Sequence, residues 1–421
     1  MTNDHSPTET APTLRRIQSI DALRGVVMFT MIFVNDLAGS PASIVPAWMR
    51  HFHGKSGMTF VDLVFPAFLF IVGMSLPLAL GSRLAKGESL GKIALHILSR
   101  TAGLLLIGIM MVNESPDAGA MGWSPTLWST LMYVASILAF CTISTPASKG
   151  EAGGSSWKWL NPALRFSGFA LLAFLALAFR SANGGRIVTF SPFSIHTEWY
   201  GILGLIGWAY LVGSLVFLCF RNNRTALLGS AVLLMCLYPA ERTGAFDHFW
   251  LAHYVGLGSA LGSQAAITVA GMLLGSMLLD AQISAPWARM RFTLLFVAGF
   301  SAAALLVHGL YGIYKNSATP SWCLWSCAIT GALWLVFYYL CDVCPPGRAA
   351  RILATAGSNV LLAYLLSEML PSALDLVGIG NWYGHLGDVN LAGAIARSAA
   401  CGVVILLVAT GLNRVGFRLK I

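Results

Sequence analysis

Charge is scarce in this chain. Asp, Glu, Lys and Arg make up 10% of the 421 residues, hydrophobic residues 57%, and the mean hydropathy is +0.72. No water-soluble fold hides that much apolar surface, which excludes a soluble globular protein. Also lacking is the period-two alternation that a membrane-spanning strand barrel needs. Residues 1–16 have no n-region, h-region or small-residue cleavage pattern, so they do not read as a cleaved secretory leader. Polar and ending in Arg15-Arg16, they read as a cytoplasmic tail. Of the eight cysteines, Cys341 and Cys344 face the reducing cytoplasm with no second pair beside them, which supports neither a zinc site nor a disulfide there, while Cys323 and Cys327, one helical turn apart near the outer surface, read as packing residues with a bridge as the alternative. No internal repeat is evident, which weakens an inverted-repeat transporter.

What remains is a set of long apolar runs punctuated by Gly, Pro and Trp, each able to cross roughly 30 Å of hydrocarbon. The fold class expected is all-α, a polytopic transmembrane helical bundle of about 11–12 spans. The spans fall near 20–38, 60–81, 101–113, 125–145, 165–180, 200–220, 225–240, 263–280, 293–313, 321–341, 352–370 and 391–412. Basic residues cluster in alternate loops: Arg83, Lys86, Lys92 and Arg100, then Arg221 and Arg224, Arg289 and Arg291, Arg348 and Arg351, and Arg414, Arg418 and Lys420. Those loops belong on the cytoplasmic side, with both termini. The net charge of +9 therefore reports topology and predicts no nucleic-acid partner. Residues 17–421 read as one membrane domain, with 17–145 carrying the motifs and 161–421 the remaining helices. Segment 144–160, rich in Ser, Gly and Lys, reads as a flexible linker, and 182–199 and 371–390 read as outside loops.

The most informative stretch is 48–75. It sets His51 and His53 on a short polar loop and then places a carboxylate, Asp62, in the first turns of an apolar helix. A carboxylate in hydrocarbon costs roughly 2.5–3.5 kcal/mol on insertion scales, so one kept there marks a functional cavity. The alternating topology brings Asn35, His51, Asp62, Asn113 and Glu114 to one face of the membrane. A neutral imidazole can take a proton from an attacking amine, a neighbouring carboxylate fixes its tautomer, and an asparagine can hold a developing oxyanion. Such a cluster suits acyl transfer with no metal.

The runs Ser19-Ile-Asp-Ala-Leu-Arg-Gly25, Val34-Asn35, Trp48-Met-Arg-His51, Gly57-Met-Thr-Phe-Val-Asp-Leu-Val-Phe-Pro66 and Phe68-Leu-Phe-Ile-Val-Gly73 resemble the signature of the heparan-alpha-glucosaminide N-acetyltransferase family, in its bacterial, NagX-like branch. The resemblance is strong over 17–80, with echoes at Arg100, Gly201–Tyr210, Ser358-Asn359, Tyr364 and Glu368. It implies a multi-pass enzyme of a bacterial inner membrane that takes acetyl-CoA from the cytoplasm and acetylates the amino group of glucosamine or a related amino sugar on the far side. It also implies a homodimer surrounded by lipid. The family's asparagine, histidine and aspartate correspond to Asn35, His51 and Asp62. Where the family has His-Ala-x-Trp this chain has His51-Phe-His53-Gly-Lys55, so His53 stands as a substitute base.

Arg24 and Arg100 are candidates for the phosphates of CoA, because guanidinium groups bind phosphate oxygens bidentately, and Asn359 for its arm. Asn113, Glu114, Tyr364 and Glu368 are candidates for the acceptor pocket. Two mechanisms stay open, an acetyl-histidine intermediate and a direct ternary complex. An amino-sugar permease is the alternative of another class, since carriers use the same residue types in a central cavity.

Overall fold

The computed structural model describes residues 17–113, 116–144, 156–191, 193–196, 201–344, 354–355, 357 and 359–421. The tail 1–16, Glu114, Ser358, Arg348, Arg351 and most of the 144–160 linker lie outside the described residues. The chain is an all-α bundle: α1 Gln18–Leu37, α2 Val64–Ala85, α3 Leu90–Val112, the single turn α4 Ala118–Met121, α5 Pro125–Phe140, α6 Ser156–Ala178, α7 Ile202–Phe220, α8 Arg224–Arg242, α9 Ala265–Met277, α10 Pro286–Tyr311, α11 Pro320–Tyr338, α12 Val360–Leu376, α13 Gly380–Asp388 and α14 Leu391–Arg414. Two small antiparallel ribbons complete it. β1 Cys141–Ile143 pairs with β4 Phe417–Leu419, and β2 Val188–Phe190 with β3 Phe193–Ile195.

Each of the twelve expected spans lands on a helix. Among the described residues eight helices are long and apolar enough to cross a membrane, α9 together with the π-helical run Leu257–Gln264 that leads into it, and the bent pair α12–α13 makes a ninth. The other three fall short by that measure because α5 has 16 residues and α1 and α8 carry polar residues. Local signals set the boundaries. Ser89, Ser124, Asn223 and Asn390 each accept a backbone N–H of the following first turn, and Pro125, Pro286 and Pro320 open their helices.

Two boundaries differ from expectation. Segment 371–390 is helical, not a loop: α12 runs to Leu376, Gly378 in the left-handed region (φ 78°) breaks it, and α13 leaves at 114°. In the span expected from 352, Ala354 and Thr355 are helical, and α12 starts at Val360, with Asn359 ahead of it engaged by β4. Asn359 thus precedes the helix, and Glu368 lies at its middle.

The centre of the bundle is α2 against α9, while α6 and α10 lie at the periphery with bulky side chains such as Phe166, Phe174, Leu295 and Leu306 turned outward to lipid. Gly73 of α2 and Gly271 and Gly275 of α9 form the contact, with each backbone against the other helix's carbonyls. Small residues at a helix crossing let van der Waals packing and close approach hold membrane helices together where the hydrophobic effect between them is absent.

At one end of the bundle a buried ion pair ties α1 to α13 and α14. Arg397, 7% exposed, donates from Nε to Asp36 Oδ2 (3.0 Å) and from Nη2 to the Asp36 carbonyl (2.8 Å). Ser398 and Tyr383 complete the carboxylate at 2.7 and 2.5 Å. Arg397→Met leaves Asp36 without its counter-charge, and the expected result is a loss of about 3–5 kcal/mol, read as a lower Tm of the detergent-solubilised protein.

Candidate functional site

The site is built on the turn that opens α2. Thr59 and Asp62 form a capping box around the one-turn helix Phe60–Leu63, in which Thr59 Oγ1 accepts from Val61 and the Thr59 N–H donates to Asp62 Oδ2 at 3.0 Å. The same oxygen accepts the Phe52 N–H at 3.1 Å, and Thr59 Oγ1 donates to the Arg50 carbonyl at 2.7 Å. One oxygen of Asp62 therefore fastens the histidine loop to the head of α2. The other, Oδ1, meets His51 Nδ1 at 2.8 Å.

Asp62 is 2% exposed and the His51 side chain 44%, so the carboxylate is sheltered and the ring reaches into the open. A carboxylate at that distance selects the tautomer with the proton on Nδ1, because a lone pair facing it would be repelled. Nε2 is then left with its lone pair, which is the form of a general base. It is His51, not His53, whose ring meets Asp62; His53 is exposed on the same loop.

A third group completes this corner. Lys315, from the loop between α10 and α11, has Nζ 3.2 Å from His51 Nδ1 and 3.8 Å from Asp62 Oδ1. Burial holds its ammonium below the ordinary lysine range, and the neighbouring Asp62 carboxylate partly offsets this. Sequence reasoning missed Lys315, which stands 264 positions from His51. The available signal was a basic residue in a loop on the face where basic residues are otherwise few.

The other expected residues divide. Asn35, near the end of α1, donates from Nδ2 to Glu368 Oε1 of α12 at 2.8 Å, so these two form a second polar pair. Asn113 is 9% exposed and donates to the Ile109 carbonyl of its own helix at 2.8 Å, which caps α3 and leaves it turned inward. Arg24, Arg100, Asn359 and Tyr364 all line one cavity of about 510 Å³ between α1, α2, α3, α7 and α12.

One end of that cavity is basic. Arg24 is braced by Asp21 (2.9 Å) and Ser75 (2.8 Å), Arg100 stacks on Tyr210 with 4.8 Å to the ring centroid, and His96 and Lys420 stand beside them. Asn359 is held by β4, with its Oδ1 accepting from Leu419 N and its Nδ2 donating to the Phe417 carbonyl, both at 3.4 Å. The other end is apolar, walled by Met28, Met31, Phe68 and Ile71. Phe68 stands six residues beyond Asp62 and Met31 four before Asn35, about 9 and 6 Å along their helices at 1.5 Å per residue. The cavity thus reaches from the arginines to within about two turns of both polar pairs. The donor set suits a long ligand with an anionic head and an apolar arm.

Comparison with known proteins agrees with this picture. Residues 16–248 match the family described as a domain of unknown function, DUF5009. A heparan-alpha-glucosaminide N-acetyltransferase of Mus musculus is 29% identical over 174 residues, 37% of this chain and 26% of that protein. The Homo sapiens protein of the same name is 35% identical over 108 residues, 26% of this chain and 15% of its own length. The matched stretches thus span about a quarter or less of the curated relatives. Asn35, His51 and Asp62 fall inside the family match, whereas Lys315, Asn359, Tyr364 and Glu368 lie beyond it. With more than half of its 421 residues matched, this multi-pass membrane chain belongs to the DUF5009 family, and it is similar in part to the heparan-alpha-glucosaminide N-acetyltransferases.

Proposed function

We propose that the chain is a membrane-embedded acetyltransferase of a bacterial inner membrane, which moves the acetyl group of cytoplasmic acetyl-CoA to the amino group of glucosamine or a related amino sugar on the periplasmic side. The observation that carries the reading is the 2.8 Å contact between Nδ1 of the half-exposed His51 ring and the sheltered Asp62 carboxylate. The partial likeness to N-acetyltransferases supports the reaction class.

On this reading acetyl-CoA, as the acyl-donating substrate, supplies a thioester at the apolar end of the cavity. His51 Nε2 takes the proton that the amine loses as its nitrogen attacks the carbonyl carbon, and later returns it to the departing thiolate. Asp62 stabilises the imidazolium in between. Asn35 keeps one N–H of its amide beyond the bond to Glu368, and that N–H is the donor for the oxyanion. Glu368 attracts the acceptor's amine and Tyr364 walls its pocket. Arg24 and Arg100 hold the phosphates, and Arg100→Met is expected to raise the KM for acetyl-CoA about tenfold with kcat little changed, as steady-state kinetics would show.

Proteoliposomes loaded with acetyl-CoA and given a panel of amino sugars outside provide the test. Free CoA inside with an N-acetylated sugar outside, identified by mass spectrometry, is the expected result. Uptake of unmodified sugar would make the protein a permease. A direct ternary-complex route predicts no stable acetyl mark on His51 when labelled acetyl-CoA is supplied without acceptor.

A further inference from the structure

Lys315 is brought to the site by a tightly strapped loop. The Ile313 N–H donates to Ser56 Oγ at 2.9 Å, and the Gly57 N–H to the Ile313 carbonyl at 3.1 Å, which clamps this loop onto the histidine loop. Within it, the Tyr314 N–H donates to Thr319 Oγ1 (3.1 Å), Thr319 Oγ1 donates to the Gly312 carbonyl (3.0 Å), and Ser321 Oγ donates to the same carbonyl. Ala318, fully buried, sits in the left-handed region at φ 47°, where a residue with a side chain is disfavoured. A backbone outlier held by its surroundings, in a loop that delivers one ammonium to a His–Asp pair, points to a demand for that ammonium at that place.

We infer that Lys315 is a positioning residue of the site: its ammonium is the standing counter-ion of Asp62, and it thereby keeps His51 neutral and ready to accept a proton. A histidine bonded to a carboxylate alone gains a favourable partner for its protonated form, which would silence it as a base on the acid side. A cation already 3.8 Å from the same carboxylate oxygen opposes that gain, and at 3.2 Å it faces Nδ1, whose proton goes to Asp62, as a like charge and not as a donor. The charged and titratable groups around the ring are Asp62 from the head of α2, Lys315 from the α10–α11 loop, and Arg50, His53 and Lys55 along its own loop. Of these, Asp62 and Lys315 meet the ring.

This inference rests on the proposed role of His51 as a base, and the experiment separates the two. Diethyl pyrocarbonate acylates neutral imidazole, so the pH dependence of His51 modification, followed by peptide mass spectrometry on the intact detergent-solubilised protein, reads the ring's charge with no substrate present. In Lys315→Met and Lys315→Gln the acid-side loss of reactivity is expected to move up by about one pH unit, and Lys315→Arg is expected to restore the original profile. The acid limb of kcat/KM for acetyl transfer moves in parallel, with the KM for acetyl-CoA unchanged. If the folded Met and Gln variants keep the profile of the parent, the inference is overturned. If the modification profile shifts but no variant, nor the parent, transfers acetyl to any amino sugar, the role of Lys315 stands and the functional reading fails.

Discussion

Replacing His51 by alanine is expected to lower kcat for acetyl transfer by about 10²–10⁴-fold, the usual contribution of a positioned base, with only a small loss of Tm. The ring is half exposed, so its loss opens no cavity; it takes one hydrogen bond from the sheltered Asp62 Oδ1, which keeps Lys315 at 3.8 Å, while both backbone contacts of Oδ2 stay. Asp62→Asn behaves differently. Oδ2 of Asp62 accepts from Phe52 and Thr59 while Oδ1 faces Nδ1, and an amide can put an oxygen at only one of these places. Either the NH₂ faces two backbone donors and the loop loosens, or it donates to Nδ1 and drives the proton to Nε2, the wrong tautomer for a base. Both the rate and the Tm are therefore expected to fall. Parallel kinetics and thermal shifts on His51→Ala, His53→Ala and Asp62→Asn check this. A normal rate in His51→Ala together with a collapsed one in His53→Ala would move the base to His53.

Gly271→Val is expected to abolish the folded protein, and Gly73→Val likewise. A Cβ at Gly271 would overlap the Phe70 carbonyl, and one at Gly73 the Thr268 carbonyl. Ordinary overpacking costs roughly 1–3 kcal/mol because side chains yield; here main chain meets main chain in the most buried pair of helices, so the cost is larger and falls on the whole bundle. Size-exclusion chromatography in detergent should show aggregate in place of a monodisperse peak. Gly299→Ala on peripheral α10, where the new methyl meets open space, is the control and should elute as the parent does. A monodisperse Gly271→Val with the parent Tm would show that the two helices do not cross as described.

Apolar run length was enough to mark twelve of the helices, because crossing hydrocarbon imposes a length and a composition that few other demands imitate, and it missed α13. Asp62 stood out for the complementary reason: a carboxylate in such a run has a cost that only a partner offsets. The His51–Asp62 pair was legible only in part: eleven positions across a short loop is a weak signal by itself, the resemblance favoured His51 with His53 as the substitute, and the capping box that fastens Asp62 to the histidine loop came only with the structure. Polar residues at similar depth were harder to sort. Asn113 looked equivalent to Asn35, yet it turns back onto its own helix while Asn35 reaches across to Glu368. Depth along a helix is written in the sequence, but the direction in which a side chain faces depends on which neighbour packs there.

What the amino-acid order determined by itself was the solvent, the helices and the short-range chemistry at the head of α2, all set by free energies local to a few turns. The pairing of Asn35 with Glu368, the meeting of Arg24, Arg100, Asn359 and Tyr364 around one cavity, and the arrival of Lys315 at His51 were decided only by tertiary packing. Asn35 and Glu368 are 333 positions apart and His51 and Lys315 264, and in a membrane such contacts are selected by close backbone fit between helices, as at Gly73 and Gly271, which leaves little trace in hydropathy.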